Sequence, residues 1–376
     1  MQDVTLVLLS AGSSTRFGLP VKKQWLYIQN KPLWQFVAEQ FSEFEFNEVI
    51  VVGNKQELKL MKDFALYRFI EGGKETRAQS VFNAIKEVKS DYVLISDIAR
   101  CCIEKDIVKK LYEKREKASC VVPALKVSDT TYFDGKPIDR EKLLQVQTPQ
   151  LSCTKTLKEI LSKNQNYTDE SSAFYANGKK VIFIDGSKRM HKLTYKEDLK
   201  LIDCLKAPID NFKVGIGVDI HPFIEGKEMV LGGVKIDSNV GFKAHSDGDV
   251  AIHAIIDALL GAANLGDIGE LFPDNDDRYK NIDSKELLKE SAKLVKSVGY
   301  EIVNIDLTIL AQKPKISPYK DEMKKVLSQI LNIDKSQINI KATTGEKLGF
   351  VGREEGVEVR AIATLNYFKW ERAWRL

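Results

Sequence analysis

Residues 4–23 read VTLVLLSAGSSTRFGLPVKK, an apolar run that ends in a turn of small residues. Small residues let backbone N–H groups approach a polyphosphate closely, so this turn is a candidate phosphate cradle. No Gly-Lys-Ser/Thr follows it, which excludes a Walker motif. Arg16 in the turn and Lys23 after it can face one anion together, as phosphoryl-group chemistry requires. The alternative is an ordinary tight turn with two surface cations.

The apolar run is the first of several that alternate with amphipathic stretches through the first 205 residues. We predict buried strands at 4–9, 49–52, 92–95, 119–122 and 181–184, with helices such as 33–44 and 107–117 between them. This alternation is typical of a parallel sheet covered by helices on both faces, so we predict an α/β fold. A polar stretch at 206–211 is the best candidate for a linker.

A different pattern begins after the linker. From Val214 to Ile220 a β-branched residue occupies every second position. This alternation predicts one strand whose opposite face carries Gly215, Gly217, Asp219 and His221.

A helix follows, because the apolar residues between Ile252 and Leu260 recur at i, i+3, i+4, i+7 and i+8. Asp249, His253 and Asp257 lie one turn apart on its flank. We also predict a helix at 284–298 and strands at 302–310 and 338–342. The chain is thus expected to hold two α/β domains, 1–205 and a smaller one at 212–376.

Asp219 and His221 on one strand face, with His253 on the helix, offer three nitrogen and oxygen ligands. That number is typical of catalytic zinc, which keeps a fourth position open for substrate, whereas structural zinc sites are closed and usually rich in cysteine. The alternative is a set of histidines satisfied by hydrogen bonds in a polar core.

The composition sets limits on the class of protein. Hydrophobic residues make up 43% of the chain and charged residues 29%, which excludes fibrous, disordered and membrane-spanning classes. Residues 1–210 carry 34 Lys and Arg against 28 Asp and Glu, and the rest carry 23 against 25. Neither half has the basic excess of a nucleic-acid-binding domain, while a modest surplus in the first suits small anions.

The five cysteines are an odd number, no two of them are two residues apart, and none follows position 204, so a disulfide framework or a cysteine-based zinc site is unexpected. The N-terminal apolar run is too short for a signal peptide core, and no stretch approaches the roughly 20 apolar residues that span a bilayer. We therefore expect a protein of the reducing cytoplasm.

The first half resembles a known family. LLSAGSSTRFGLPVKKQ is similar to the signature of nucleotidyltransferases that join a nucleoside triphosphate to a phosphorylated small molecule. Further blocks, in the family's order, resemble methylerythritol phosphate cytidylyltransferase over residues 1–205: GGKETRAQSV at 72–81, SDIAR at 96–100, DT at 129–130, DR at 139–140, QTPQ at 147–150, TDESSA at 168–173 and KLTYKEDL at 192–199.

The resemblance implies a Rossmann-like nucleotidyltransferase domain with a mostly parallel sheet. Arg16 and Lys23 would hold the triphosphate and stabilise the pentacoordinate phosphorus, and Asp97 would bind Mg²⁺ or Mn²⁺. It also implies nucleotide contacts at Gly12, Gly72, Gly73, Arg77 and Ser80, and positioning of methylerythritol phosphate by Thr130, Arg140 and Lys192. The chain departs from the family's His-Asp-Ala-Ala-Arg-Pro at Ser96, Ile98 and Cys101, which puts the packing beside Asp97 in question.

The second half resembles methylerythritol cyclodiphosphate synthase over about residues 212–370. The blocks that carry this resemblance are GVDIHPF at 217–223, AHSDGDVAIHAIIDALLGAANLGDIGELFPD at 244–274, AQKPKI at 311–316 and KATTGEKLGFVGREEG at 341–356.

This resemblance implies zinc held by Asp219, His221 and His253, and helical spacing suggests Asp257 as a residue that orients His253. His245 and Thr344 would stabilise the transition state, and Glu346 would reach a second divalent ion. Further implied substrate contacts are Ser246, Asp267, Ile268, Gly269, Phe272, Pro273, Asp274, Asn275, Asp276, Ala311, Lys315 and Thr343. Gly345 stands where the family has threonine, which puts one phosphate contact in question. Phe350 and Arg353 match positions on a trimer axis that binds an isoprenoid diphosphate, or they pack an interface.

Together the resemblances predict a bifunctional bacterial enzyme of isoprenoid-precursor synthesis. It would transfer CMP from CTP to methylerythritol phosphate, and would cyclise the phosphorylated cytidyl-diphospho derivative with release of CMP. A pathway kinase must act between these reactions. A trimeric second domain is expected, and a dimeric first domain would make a hexamer. The alternatives are a sugar-nucleotide transferase fused to an unrelated metallohydrolase, and an inactive scaffold that recruits the kinase.

Overall fold

The computed structural model describes residues 1–73, 75–244, 247–273, 275–279 and 282–373. The chain divides into two compact units. Pro208–Lys369 forms the second, and Met1–Ala207 forms the first together with the segment that starts at Trp370. The sequence prediction ran the second domain to residue 376. The structure instead buries Trp370 in the first unit, where its indole N–H donates to the carbonyl oxygen of Tyr27 at 2.7 Å.

The first unit is a helix-covered sheet. Its strands are β1 Val4–Leu9, β2 Tyr27–Ile28, β3 Lys31–Pro32, β4 Glu48–Gly53, β5 Arg68–Glu71, β6 Tyr92–Asp97, β7 Cys120–Lys126, β8 Thr131–Phe133, β9 Lys136–Ile138, β10 Leu144–Val146, β11 Gln150–Cys153 and β12 Val181–Asp185. Its helices are α1 Leu33–Gln40, α2 Lys55–Lys62, α3 Arg77–Glu87, α4 Lys105–Glu113, α5 Thr154–Lys163 and α6 Glu170–Ala176.

The main sheet has the order β10-β7-β11-β6-β1-β4-β5, with β12 beside β7. Strands β1, β4, β5 and β6 run parallel, and β11 runs antiparallel between β6 and β7. Apolar runs build β1, β4 and β6, whereas β5 is a short edge strand with the sequence RFIE. Because all four strands run parallel, their carboxyl ends meet at one edge of the sheet. The phosphate turn, Gly72 and Asp97 all lie at that edge.

Two helices are shorter than their patterns predict. α1 ends at Gln40 rather than at 44, because Phe41 and Phe44 turn to pack against Phe46, with ring centroids 6.2 and 6.0 Å away. α4 ends at Glu113, and a 3₁₀ turn at Arg115–Lys117 continues the predicted helix.

A disulfide joins Cys102 to Cys204, with Cα atoms 5.8 Å apart. The cysteine pattern did not predict it, because the two residues are 102 positions apart and only the fold brings them together. Cys101, Cys120 and Cys153 are free thiols. Within the described ranges, no helix has the length and apolar character needed to cross a membrane.

The second unit is a smaller α/β fold. Its strands are β13 Lys213–Glu225, β14 Met229–Leu231, β15 Val234–Ile236, β16 Val240–Phe242, β17 Tyr300–Leu310, β18 Ile338–Thr343 and β19 Gly356–Tyr367. Its helices are α7 Val250–Ala262, α8 Ile268–Leu271, α9 Ser284–Ser297, α10 Lys320–Leu331 and α11 Gly349–Gly352. The sheet order is β16-β13-β19-β17-β18, in which β13, β17 and β18 share one direction and β19 opposes them.

Helix α7 lies directly on β13. A Cβ atom added at Gly215 would stand 2.1 Å from the Ala258 carbonyl oxygen, and one at Gly217 would stand 2.0 Å from that of Ala254. The glycine face of β13 is therefore the buried face, and its β-branched face is exposed, with 67% of Val214 and 65% of Ile216 accessible. This arrangement brings a strand and a helix close enough to share one site.

Candidate active sites

An ion-pair cluster lies at the carboxyl end of β6 in the first unit. Arg77 Nε donates to Asp97 Oδ1 at 2.9 Å, and Lys192 Nζ donates to Asp97 Oδ2 at 2.6 Å. The Arg77 guanidinium also forks onto both carboxylate oxygens of Glu170, at 2.6 and 3.2 Å. Arg77 therefore joins the start of α3 to β6 and α6.

The charges of this cluster keep Asp97 ionised. Burial alone would raise the pKa of the Asp97 carboxyl, but Arg77 and Lys192 outweigh it and hold that pKa well below its ordinary value. Glu170, which the sequence prediction did not include, is fully buried, and burial raises its pKa despite the partnership with Arg77. An ionised carboxylate at this edge can hold Mg²⁺ or Mn²⁺, for which oxygen ligands are suitable.

Lys23 and Arg16 approach the same region from the phosphate turn. Lys23 Nζ donates to the Leu193 carbonyl oxygen at 3.1 Å, next to Lys192 in the chain. Burial, and then the charges of Lys192 and Arg16, lower the pKa of Lys23. Arg16 is exposed within a 3₁₀ turn. Several cations therefore surround one place, an arrangement that is suited to a polyphosphate.

Gly72 and Gly73 allow the end of β5 to approach the phosphate turn. A Cβ at Gly72 would lie 2.6 Å from Ala11 Cβ, and one at Gly73 would lie 2.2 Å from Gln79 Cβ. The Gly73 N–H donates to Ser80 Oγ at 3.0 Å. Gly12, in contrast, has open space beside it.

Thr130 and Arg140 lie apart from this cluster. Both are exposed in an arm, residues 127–146, that contains the β8–β9 hairpin, and Arg140 donates to the Ser128 carbonyl oxygen at 2.8 Å. Across the described residues, no hydrogen bond connects either one to Asp97. The structure brings Lys192 to the cluster and leaves these two predicted residues outside it.

The family departures beside Asp97 are buried. Ser96 and Ile98 are in the core, and burial raises the pKa of the Cys101 thiol to about 12. These residues contribute to packing behind Asp97, and Cys101 has little thiolate character.

In the second unit, the three predicted zinc ligands meet. Asp219 Oδ2 lies 3.1 Å from His221 Nε2 and 3.1 Å from His253 Nδ1. Burial would raise the pKa of Asp219, but hydrogen bonds to the two histidines hold it well below its ordinary value. Burial lowers the pKa of His253, yet Asp219 outweighs that effect and raises it.

Two residues that the sequence prediction missed orient His253. Its Nε2 lies 3.0 Å from Ser284 Oγ, and Ser284 Oγ donates to Asp247 Oδ1 at 2.5 Å. Asp257 was expected in this role, but its carboxylate accepts the Ile268 N–H at 2.8 Å instead. Ser284 is 31 residues from His253, so helical spacing could not reveal it.

Two imidazole nitrogens and a carboxylate oxygen, all within 4.8 Å of one another, are a donor set that fits zinc. His221 Nδ1 is buried and has no hydrogen-bond partner among the residues described, so this ring nitrogen still lacks the polar contact that a buried nitrogen normally makes.

Most of the remaining predicted contacts belong to the segment that contains α8 and the residues after it. Asp267 caps α8 through the Glu270 N–H, next to Ile268 and Gly269. Phe272 packs on Tyr279, Asp276 pairs with Arg278, and Pro273 and Asn275 lie between them in the chain. His245, Ser246 and Asp274 fall outside the described residues.

The predicted cytidine-binding segment lies on the same edge of the sheet but further away. Ala311 follows β17, which lies two strands from β13. Thr343 ends β18 and Thr344 follows it, and β18 lies three strands from β13. Neighbouring strands lie about 4.8 Å apart, which separates β18 from β13 by roughly 14 Å. Thr344 donates to Glu346 at 2.6 Å, while Lys315 is exposed.

The structure explains one departure in this segment. A Cβ at Gly345 would lie 2.7 Å from the Gly352 nitrogen, so threonine there would require the backbone to shift. Phe350 is half-buried, and Arg353 pairs with Glu355 at 2.9 Å.

Comparison with known proteins matches both units. Residues 4–205 match the family model of 2-C-methyl-D-erythritol 4-phosphate cytidylyltransferase, and residues 212–366 match the YgbB family. The chain is 53% identical to a bifunctional enzyme IspD/IspF of Sulfurovum sp., covering 99% of this chain and 100% of the relative. It is 53% identical to another from Campylobacter concisus, covering 98% and 99%. The structure of the bifunctional IspDF from Campylobacter jejuni superposes with a TM-score of 0.93 at 45% identity, covering 98% of this chain and all of that one.

Proposed function

Because this chain belongs to the family of bifunctional IspD/IspF enzymes, it is a cytidylyltransferase and a cyclodiphosphate synthase of the non-mevalonate isoprenoid pathway, and we propose how its residues perform both reactions. The first transfers CMP from CTP to methylerythritol phosphate and releases diphosphate. The second cyclises the phosphorylated cytidyl-diphospho product and releases CMP. The two family models match residues 4–205 and 212–366, so the alternative of a transferase fused to an unrelated metallohydrolase has no segment of this chain to occupy.

In the first reaction no general base is needed, because the attacking phosphate oxygen is ionised at neutral pH. Arg16 and Lys23 hold the triphosphate and neutralise the charge that develops on its α-phosphorus. Lys192 positions methylerythritol phosphate, and Thr130 and Arg140, which lie outside the Asp97 cluster, would contact this substrate from the arm. Gly12, Gly72, Gly73 and Ser80 provide the nucleotide contacts. The supporting observation is the convergence of Lys23 and Lys192 beside Asp97.

Asp97 would hold Mg²⁺ or Mn²⁺ in this unit, and the ion would supply charge neutralisation at the phosphates. Arg77 would then retain one Asp97 oxygen and both Glu170 oxygens, which keeps the carboxylate oriented. Lys192 would be free to turn from Asp97 to the substrate.

Enzymes of the second type depend on a metal, and here Asp219, His221 and His253 would hold zinc, which polarises a phosphate oxygen when bound. The reaction is intramolecular, so the other residues fold the substrate. Asp267 and its neighbours hold the methylerythritol part. Thr343 and Thr344 bind the diphosphate, with Glu346 holding a second divalent ion.

The second unit is proposed to form a trimer with shared active sites. Val214, Ile216, Val218 and Ile220 form an exposed apolar strip on β13, continued by Ile362 on β19. An apolar strip of this kind marks an association surface. A neighbouring copy would also bring its cytidine-binding segment to the zinc centre, which lies roughly 14 Å from that segment within one chain. Phe350 and Arg353 would line the axis.

Association of the first unit would use its arm, where Tyr132 and Phe133 are 63% and 73% exposed. A dimer of such units joined to trimers gives a hexamer. The substrates are phosphorylated small molecules, which suits an enzyme of the bacterial cytoplasm, supplied between its two reactions by a kinase.

One assay tests the proposal. The full chain with CTP, Mg²⁺ and methylerythritol phosphate should release diphosphate, and with the phosphorylated cytidyl-diphospho derivative it should release CMP. A folded chain that performs neither reaction would be the inactive scaffold.

A further inference from the structure

A buried carboxylate that the proposed mechanism does not use lies behind the phosphate turn. Glu57, in the first turn of α2, is only 4% exposed. It accepts hydrogen bonds from Lys22 Nζ, from Gln24 Nε2 at 3.0 Å and from Trp25 Nε1 at 2.8 Å. Because a buried charge is costly unless it is paired, these three donors hold residues 22–25 firmly against α2.

Gln24 connects this carboxylate to the phosphate turn. Its side chain is 2% exposed. Its Nε2 donates to the Gly12 carbonyl oxygen at 3.1 Å, and its Oε1 accepts from Ser14 Oγ at 3.3 Å. Ser14 Oγ in turn accepts the Lys23 N–H at 3.0 Å. One amide thus spans both sides of the turn, and the serine that it binds also binds the backbone of Lys23.

We propose that Gln24 and Glu57 are positioning residues for cytidyl transfer, which fix the Lys23 ammonium relative to the phosphate turn. Neither side chain reaches the substrate. The inference rests on the proposed role of Lys23 in holding the triphosphate. Small residues at 10–14 give the turn little packing of its own, and Ser14 has a φ of 60°. A displacement of about 1 Å in a group that stabilises a transition state can lower the rate about 100-fold.

The test is a double-mutant cycle in the full chain. Gln24→Leu should lower kcat/KM for cytidyl transfer about 10- to 100-fold. In the Lys23→Ala background the same change should have less than about a threefold effect, since Gln24 acts through Lys23. A merely structural role would lower the rate by the same factor in both backgrounds.

Glu57→Gln gives a second route that does not depend on Gln24→Leu folding. It keeps the size of the side chain and one acceptor oxygen but loses the charge. We therefore expect a smaller loss of kcat/KM for cytidyl transfer than in Gln24→Leu, and no such loss in the Lys23→Ala background. Cyclisation by the second unit of the same molecules serves as an internal control. Thr5→Val is a matched control, because it removes a partly buried hydrogen bond that Thr5 accepts from Ser90 at the opposite end of β1.

The outcomes separate the two claims. If Lys23→Ala keeps full cytidyl transfer, the proposed role of Lys23 fails. If Lys23→Ala is impaired while Gln24→Leu and Glu57→Gln keep the normal rate, or lose it equally in both backgrounds, the positioning role is rejected.

Discussion

Single residues determine how charge is distributed at each site. Lys23 shows this in the first unit, where burial and two neighbouring cations make its protonated form less favourable than in water. A bound polyphosphate would reverse that balance, so the ammonium is stabilised most when substrate is present.

Removing the Lys23 charge should affect one reaction only. We expect Lys23→Ala to lower cytidyl transfer on the order of 100-fold or more and to leave cyclisation unchanged, because the cation serves the first unit alone. The two rates measured on one preparation check this. Equal damage to both would contradict separate sites.

The lowered pKa of Lys23 also predicts a pH effect with a definite sign. As pH rises, a lysine whose pKa is lowered loses its proton before the ordinary value of about 10.4 is reached, so cytidyl transfer should decline below that pH. Lys23→Arg should move the decline upward, since guanidinium stays charged above about pH 12. A pH profile of kcat/KM that is identical for lysine and arginine would contradict this explanation.

Ser284 is the residue whose role only the fold reveals. Ser284→Ala should weaken zinc binding about 10- to 100-fold, because His253 loses the hydroxyl that orients it. Competition with a chelator measures this without any assay of activity. Asp257→Asn is the control that retains the acceptor for Ile268, and a larger loss of zinc there than in Ser284→Ala would contradict the assignment.

At the scale of elements, the apolar runs predicted β1, β4, β6, β7 and β12 but not the parallel edge strand β5, whose sequence RFIE begins and ends with a charged residue. A run such as 92–95 is buried by helices on both faces of the sheet. Burial on both faces requires consecutive apolar residues, and these are visible in the local sequence. The antiparallel β11 and the β8–β9 hairpin were not predicted, because short strands with polar residues carry little periodic signal. The sites show the same limit. Alternation places Asp219 and His221 on one strand face, but the family resemblance was needed to add His253, which is 34 residues from Asp219. Glu170 and Ser284 join their partners across 93 and 31 residues, and neither local spacing nor the resemblance pointed to them.

In strand β13 the apolar residues of the alternating pattern face outward, whereas in most half-buried strands they face the core. Its apolar side faces outward because glycine, rather than a large side chain, is required beneath α7. Ile216→Asp on that exposed side should leave the fold intact but convert the proposed trimer to smaller species, which light scattering would measure. Zinc binding and cytidyl transfer should persist while cyclisation falls. Leu66→Asp, at an exposed position of the first unit, is the control, and an unchanged mass for Ile216→Asp would exclude this face.

At the scale of the whole molecule, the two reactions should separate by metal. A zinc-selective chelator should abolish cyclisation while excess Mg²⁺ preserves cytidyl transfer, and His221→Ala with His253→Ala should reproduce that result.

Lowering the pH should also stop cyclisation before it stops cytidyl transfer. Metal binding requires neutral imidazole, and Asp219 raises the pKa of His253, so metal-free His253 keeps its proton to a higher pH than the ordinary value of about 6.5. Asp97 keeps its charge to a pH well below the ordinary value for a carboxyl. Cyclisation should therefore stop first as the pH falls. A metal analysis that finds no zinc in active protein would contradict the site.

Trp370 makes the first enzyme a discontinuous one. Its polypeptide is interrupted by the whole of the second enzyme and resumes only after Lys369. A frameshift just after the codon of Lys369 would therefore damage the activity of the unit encoded upstream of the second enzyme, by leaving the Tyr27 carbonyl and its apolar surroundings uncovered. Splitting this gene at the linker would give an N-terminal product that lacks Trp370, and a C-terminal product that exposes it.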